Sequence, residues 1–241
     1  MTMALTNDLG QPIGDPVPGW SEPRRPSDEP MRGRLCRIER LDPGRHVDQL
    51  FESNNQDTRH RNWTYLPYGP FATRSDYLEW MNKDCMGTDP MFHAIIDMEM
   101  RRATGVASYL RISPPQGSIE VGHINYSPLL QGRPAATEAM YLMMKRVFDL
   151  GYRRYEWKCD ALNEKSCAAA RRLGFTYEGT FRQALIYKGR NRDTAWFSVV
   201  DSEWPPLKNA FEAWLDPSNF DEHGRQKTRL ADFRIRNEEI V

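Results

Sequence analysis

The chain has 241 residues, 39% hydrophobic and 27% charged, enough for one well-filled core, with two very small domains the less favoured arrangement. Lysine plus arginine equals aspartate plus glutamate at 33 each, so no global field draws the chain to nucleic acid or to an anionic membrane, and any basic site is local. With no charged start leading into an apolar run, and no apolar stretch near the roughly 18 residues of a membrane span, secretion and insertion are not indicated and cytoplasm is the default.

Residues 1–31 hold Pro12, Pro16, Pro18, Pro23, Pro26 and Pro30 among Gly, Ser and charges, which forbids a regular helix and predicts an extended arm. Val17 and Trp20 either pin it to the surface or leave it disordered. The main domain is expected over 32–215. It opens with a strand over 34–41, and Asp42-Pro43-Gly44 turns into a helix near 45–53. The segment 63–71 is too rich in Pro and Gly for a helix yet carries Trp63, Tyr65, Tyr68 and Phe71. These rings are either a substrate-side wall or packing over the core edge. Thr73 or Ser75 then caps a second helix.

Three strand-like runs, 91–98, 104–112 and 118–126, read as an antiparallel meander. Helix (134–150), strand (154–159), helix (164–173) and two strands (175–183 and 194–200) follow. A strand-helix-strand crossover requires a parallel pair. The predicted class is therefore mixed α+β: a largely antiparallel sheet with one parallel pair at a βαβ crossover and helices on both faces. After Pro205-Pro206 a helix carries Leu207, Phe211, Trp214 and Leu215 on one side. The polar tail 216–241 is expected to be loosely packed or an oligomer contact, with a homodimer left open.

Several stretches carry chemistry. Ala136, Ala139, Met140, Met143, Met144 and Val147 form one helical apolar stripe, so these methionines are core. The turn before them, Gln131 to Glu138, ends in a helix start with small side chains, where Pro134 suits the first turn. Up to about four unpaired N–H groups and the positive end of the helix dipole suit an anion such as phosphate, although a helix start without a ligand reads the same way. Glu120 and His123 lie in a β-favouring run with Gly122 between them. Their odd separation puts them on opposite faces of a regular strand, which a bulge at Gly122 changes. Either serves as a base for an amine, or both simply face solvent. Asn163 caps the helix from 164, and Ser166 lies in its first turn.

The cysteines Cys36, Cys85, Cys159 and Cys167 are dispersed, without a CxxC pair or a histidine at zinc spacing, so reduced thiols and no metal are expected. The patterns of a P-loop, a zincin and a serine hydrolase are missing. The basic run Lys188 to Asp193 reads as a solvated hairpin rather than an RNA contact.

Taken in order, the meander, then Leu130-Gln131-Gly132-Arg133-Pro134-Ala135-Ala136-Thr137-Glu138-Ala139, then Asn163-x-x-Ser166, then Arg172-Leu173-Gly174-Phe175-x-Tyr177-Glu178-Gly179, resemble the GNAT N-acetyltransferase superfamily, in the branch that includes ribosomal-protein N-terminal acetyltransferases. The resemblance spans roughly residues 34–204. It implies an enzyme that binds acetyl-CoA and acetylates a primary amine, a small molecule or a peptide N-terminus. It places the pyrophosphate on Gln131, Gly132, Arg133, Ala135, Ala136 and Thr137, and the pantetheine along Ile124, Asn125 and Tyr126 with Asn163 beside it. Glu120, directly or through a water, is the implied base, His123 its substitute, and Ser166 the proton donor to the departing thiolate. Trp63, Tyr65, Tyr68 and Tyr187 are expected to frame the acceptor pocket, where aromatic walls near acids suit a cationic amine and equally a peptide. Pro134 stands where the family has glycine, removing one N–H donor worth on the order of 1 kcal/mol. A chain of this pattern without turnover, an acyl-CoA-binding module, is the alternative.

Overall fold

A computed structural model describes residues 5–238. The arm begins with a small hairpin, β1 (Leu5–Thr6) with β2 (Pro12–Ile13), and runs extended to β3 (Met31–Arg32). Pro23 and Pro26 are buried, and Arg146 Nη1 donates to the carbonyls of Ser27 and Glu29, which ties the arm to the domain. Val17 and Trp20 keep much of their surface exposed beside Leu150 and Arg153. Residues 1–4 of the arm and 239–241 of the tail lie outside the described residues.

β4 (Cys36–Arg40) is followed by α1 (Pro43–Asn54), which starts earlier than residue 45 because the Asp42 side chain accepts from Gly44 N at 2.9 Å and Pro43 fits the first turn. A short 3-10 turn at Arg61–Trp63 precedes α2 (Arg74–Asp84), which Thr73 opens with a capping box to Asp76. β5 (Met91–Asp97), β6 (Arg102–Ser113) and β7 (Ser118–Tyr126) form the meander. α3 (Pro134–Asp149), β8 (Arg154–Asp160) and α4 (Glu164–Arg172) make the crossover.

β9 (Thr176–Tyr187) and β10 (Arg190–Val200) are longer than expected, because Lys188 and Gly189 alone make the turn. Both have positive φ, the geometry that matches the twist of a tight hairpin. Most of the basic run is thus strand. The chain continues through α5 (Trp204–Leu215) to α6 (Leu230–Glu238). The tail packs on α5: Leu230 is buried, and Asn219 Nδ2 donates to the carbonyls of Trp214 and Thr228.

The eight-stranded sheet runs β3-β4-β5-β6-β7-β8-β10-β9, antiparallel except for the β7-β8 pair. One face is covered by α3, α4 and α5 through Met140, Met143, Met144, Val147, Leu207 and Phe211. Over β4 to β6, α1 and α2 cover the other through Val47, Leu50, Tyr77 and Trp80, packed against Phe92 of β5.

Candidate active site

β7 and β8 pair only from Ser118–Arg154 to Val121–Trp157. Both strands then run on without pairing to each other, so the sheet splits into a wedge with Val121 and Trp157 at its apex. The cause lies in β7: against β6, the register slips one residue between Gly122 and Asn125, and His123 adopts φ 50. The bulge sits one residue beyond the glycine that signalled it. It brings the His123 ring onto the Glu120 side of the sheet, against Phe92 (4.9 Å between centroids) and Tyr68 (5.6 Å).

Glu120, 3% exposed, is held by Lys158 Nζ at 2.9 Å and by Arg111 Nη1. The ion pairs continue across the open face of the sheet: Lys158 to Glu156 at 2.7 Å, Glu156 to Arg154 at 2.6 Å, and Arg154 to Glu178. Lys158 also lies over the Trp196 ring at 3.7 Å. His123 Nδ1 is 3.2 Å from Tyr68 Oη. Burial first, and then the charges of Arg111 and Arg192, push the His123 pKa down to about 4, so the ring is neutral near pH 7.

At the far end of the wedge lies the start of α3. The amides of Gln131, Arg133 and Ala136 turn back onto the carbonyls of Ser127, Leu130 and Arg133. Pro134 has none. Among the described residues no backbone acceptor engages the amides of Gly132 and Ala135. Gly132 has φ 74, and a Cβ there meets only open space. The turn is therefore compatible with a bound anion through fewer amides than its length offers. Arg133 is turned away to Asp97 (3.3 Å) and Glu99. The Gln131 side chain braces the turn, donating to Asn62 Oδ1 (2.8 Å) and to the Tyr126 carbonyl (2.7 Å). Thr137 Oγ1 accepts from Arg172 Nη1 at 3.1 Å, which brings an α4 cation to the first turn of α3. The Arg172 contact with Thr137 depends on how α3 and α4 pack, which no local pattern shows.

Along the β7 arm of the wedge, Asn125 is 2% exposed, and among the described residues neither its Oδ1 nor its Nδ2 has a partner. Tyr126 Oη points to the Ala136 carbonyl (3.4 Å), and Ile124 packs against the core. On the β8 arm, Asn163 Oδ1 accepts from Ser166 N (3.1 Å), so its side chain serves as the helix cap. Ser166 Oγ accepts from Trp157 Nε1 (3.0 Å), and its own hydroxyl hydrogen reaches toward the buried Cys159 thiol.

The mouth on the Glu120 side is framed by two segments. Tyr65 Oη donates to the Leu162 carbonyl (3.1 Å) across the wedge, and Lys188 Nζ donates to the Trp63 carbonyl (2.7 Å). Tyr187 Oη donates to Asp160 Oδ2 at 2.7 Å. Of the four rings expected to frame a pocket, Tyr65 and Tyr187 border this mouth, and Tyr68 reaches it through His123. Trp63 is buried against Phe71 and Tyr77 and packs as core.

Among known proteins, the sequence family described as the acetyltransferase (GNAT) domain matches residues 37–176. A GCN5-related N-acetyltransferase from Brucella melitensis is 46% identical, with a TM-score of 0.89 over 91% of this chain and 100% of its own. A probable GNAT-family acetyltransferase from Chromobacterium violaceum is 39% identical, with a TM-score of 0.75 over 80% and 97%. The microcin C7 self-immunity acetyltransferase MccE, solved with acetyl-CoA and AMP, is 22% identical and shares the fold, with a TM-score of 0.61 over 70% and 93%. No curated protein matches significantly.

Proposed function

This chain belongs to the GNAT N-acetyltransferase family, and on that premise we propose that it transfers an acetyl group from acetyl-CoA to a primary amine, of a small molecule or a protein N-terminus, by direct attack in a ternary complex. The observation that carries the reading is the wedge: two parallel strands that part at Val121–Trp157, with a helix start at the far end. Acetyl-CoA supplies the activated acetyl thioester. The amides of Gly132 and Ala135 would hold its pyrophosphate, with the cation of Arg172 close by, and the unpaired β7 edge from Ile124 to Tyr126 would hold its pantetheine. MccE, of the same fold, was solved with acetyl-CoA, which supports acetyl-CoA as the ligand.

For the chemistry, we assign proton removal from the amine to Glu120 through a water or to His123. Arg111 and Lys158 both sit on Glu120 Oε2, while among the described residues no hydrogen-bond donor engages Oε1, and the His123 ring is neutral near pH 7, so each offers a lone pair to the amine or to a water. Ser166, held by the Trp157 indole, is assigned to protonate the departing thiolate. Release of free thiol from acetyl-CoA with a panel of amines tests the reading. Transfer to at least one amine is expected, together with thermal stabilisation by acetyl-CoA. Binding without transfer across a broad panel would instead favour a non-catalytic acyl-CoA-binding module, the reading that the missing Pro134 donor favours.

A further inference from the structure

The acids at the acceptor mouth are largely paired within the protein. Glu120 is held by Arg111 and Lys158, and Glu156 by Lys158 and Arg154. Asp160 accepts from Leu162 N through Oδ1 and from Tyr187 Oη through Oδ2. Only Glu120 Oε1 has no donor among the described residues, and two cations flank that carboxylate, so the mouth holds little negative charge for a cationic amine.

The cations there are in the opposite state. Among the described residues, Arg192 has no carboxylate within ion-pair distance. Its Nε donates to Thr194 Oγ1 at 3.2 Å, and its guanidinium carbon lies 5.8 Å from the Tyr187 ring centroid. It lies on β10 two residues before Thr194, which pairs with Asp160 at the end of β8, and its charge is felt at His123 and at Cys159. Lys188 likewise has no acid partner and rests on the Trp63 carbonyl. Arg111, the partner of Glu120, keeps 55% of its side chain exposed.

We infer that the acceptor amine carries an anionic group, a carboxylate or a phosphate, and that Arg192 binds it, with Lys188 and Arg111 beside it. This deepens the acetyl-transfer reading and rests on it. The same positive field disfavours the ammonium form of the acceptor, so the amine enters closer to its nucleophilic state. In the balanced step a C–N bond forms and the thioester C–S bond breaks. The amine loses one proton to the base, the departing thiolate gains one from Ser166, and the proton on the base returns to Ser166 through solvent, so that one proton passes in net from amine to thiol. An anion on the acceptor takes no part in that exchange and acts only through position and affinity.

The test uses matched acceptors, phosphoethanolamine against ethanolamine and phenylalanine against phenylalaninamide, each pair compared at equal concentrations of neutral amine and read by thiol release. The charged member of at least one pair is expected to show kcat/KM about tenfold or more higher, the size of one charge-assisted contact. Arg192→Gln is expected to bring that ratio near one through KM for the amine, with KM for acetyl-CoA unchanged and Arg192→Lys recovering part of the preference. If Arg192→Gln does not fold, the wild-type enzyme decides: the preference should shrink as salt rises. Neutral members used as well as charged ones, or a preference indifferent to both Arg192→Gln and salt, would overturn the inference while acetyl transfer stands. No transfer to any amine, with acetyl-CoA still bound, would overturn the acetyl-transfer reading and this inference with it.

Discussion

Glu120 was visible in the sequence as an acid in a β run, but its partners were not. Arg111 comes from the adjacent β6 and Lys158 from β8 across the parallel pair, and only the register of three strands puts them together. The bulge was legible through Gly122, and with it the meeting of Glu120 and His123 on one face. The ion pairs make Glu120 structural as well as chemical. Replacing it by Gln leaves Lys158, 5% exposed, with Glu156 alone. We expect Glu120→Gln to cost about 1–3 kcal/mol, read as a lower urea midpoint, because a buried charge loses one of two partners. An unchanged midpoint would mean that water or Glu156 compensates fully. Lost activity in this variant identifies a base only if its pH profile also changes at temperatures where the protein stays folded.

The element that positions the cofactor end is α3, and its anchoring was not legible. Glu138, buried in the second turn of the helix, accepts from three successive backbone amides at the start of β4: Arg34 N (2.9 Å), Leu35 N (2.6 Å) and Cys36 N (2.7 Å). The apolar stripe showed which face of α3 packs, but a carboxylate meeting a strand about a hundred residues earlier leaves no local signature. Glu138→Ala strands those amides, and a loss of about 2–4 kcal/mol is expected in urea unfolding. A loss below 1 kcal/mol would show that solvent replaces the carboxylate. Pro134, at the other end of the first turn, was readable as a helix starter and as a missing donor at once. Pro134→Gly restores one amide and loosens the unfolded chain, so acetyl-CoA is expected to bind several-fold more tightly while Tm falls by a few degrees. Weaker binding in calorimetry would mean that the rigidity of the turn matters more than the donor.

Across the whole molecule, the meander and the crossover were legible because period-2 runs and a capped helix are local patterns, whereas the two-residue turn at Lys188-Gly189 and the β8-β10-β9 order were not. The packed tail was not: Asn219 and Leu230 sit in a polar stretch whose few anchors gain meaning only against α5. A property that only the folded whole creates is its response to acid. His46, His93 and His123 all lie in or beside the sheet and are all depressed by burial, His93 to about 3 and His123 to about 4. Glu39 opposes the effect at His46 without overturning it, whereas Arg40 and Arg146 add to it at His93. Each folded value lies below the unfolded one near 6.5, so the unfolded chain binds the proton first. Their contribution is therefore complete above about pH 6.5 and is lost as pH falls toward 4, at up to about 1.4 kcal/mol per pH unit for each histidine. Over this window, stability measured by urea at pH 7.5, 6 and 5 should drop steeply, before the ion-paired carboxylates Glu39, Glu156 and Glu178 add their own loss at lower pH. His123→Gln should lessen the slope by about one proton's worth, since Gln keeps a polar group at the Tyr68 contact without titrating. A stability that is flat between pH 7.5 and 5, or a slope untouched by His123→Gln, would show that these rings are not held neutral in the fold.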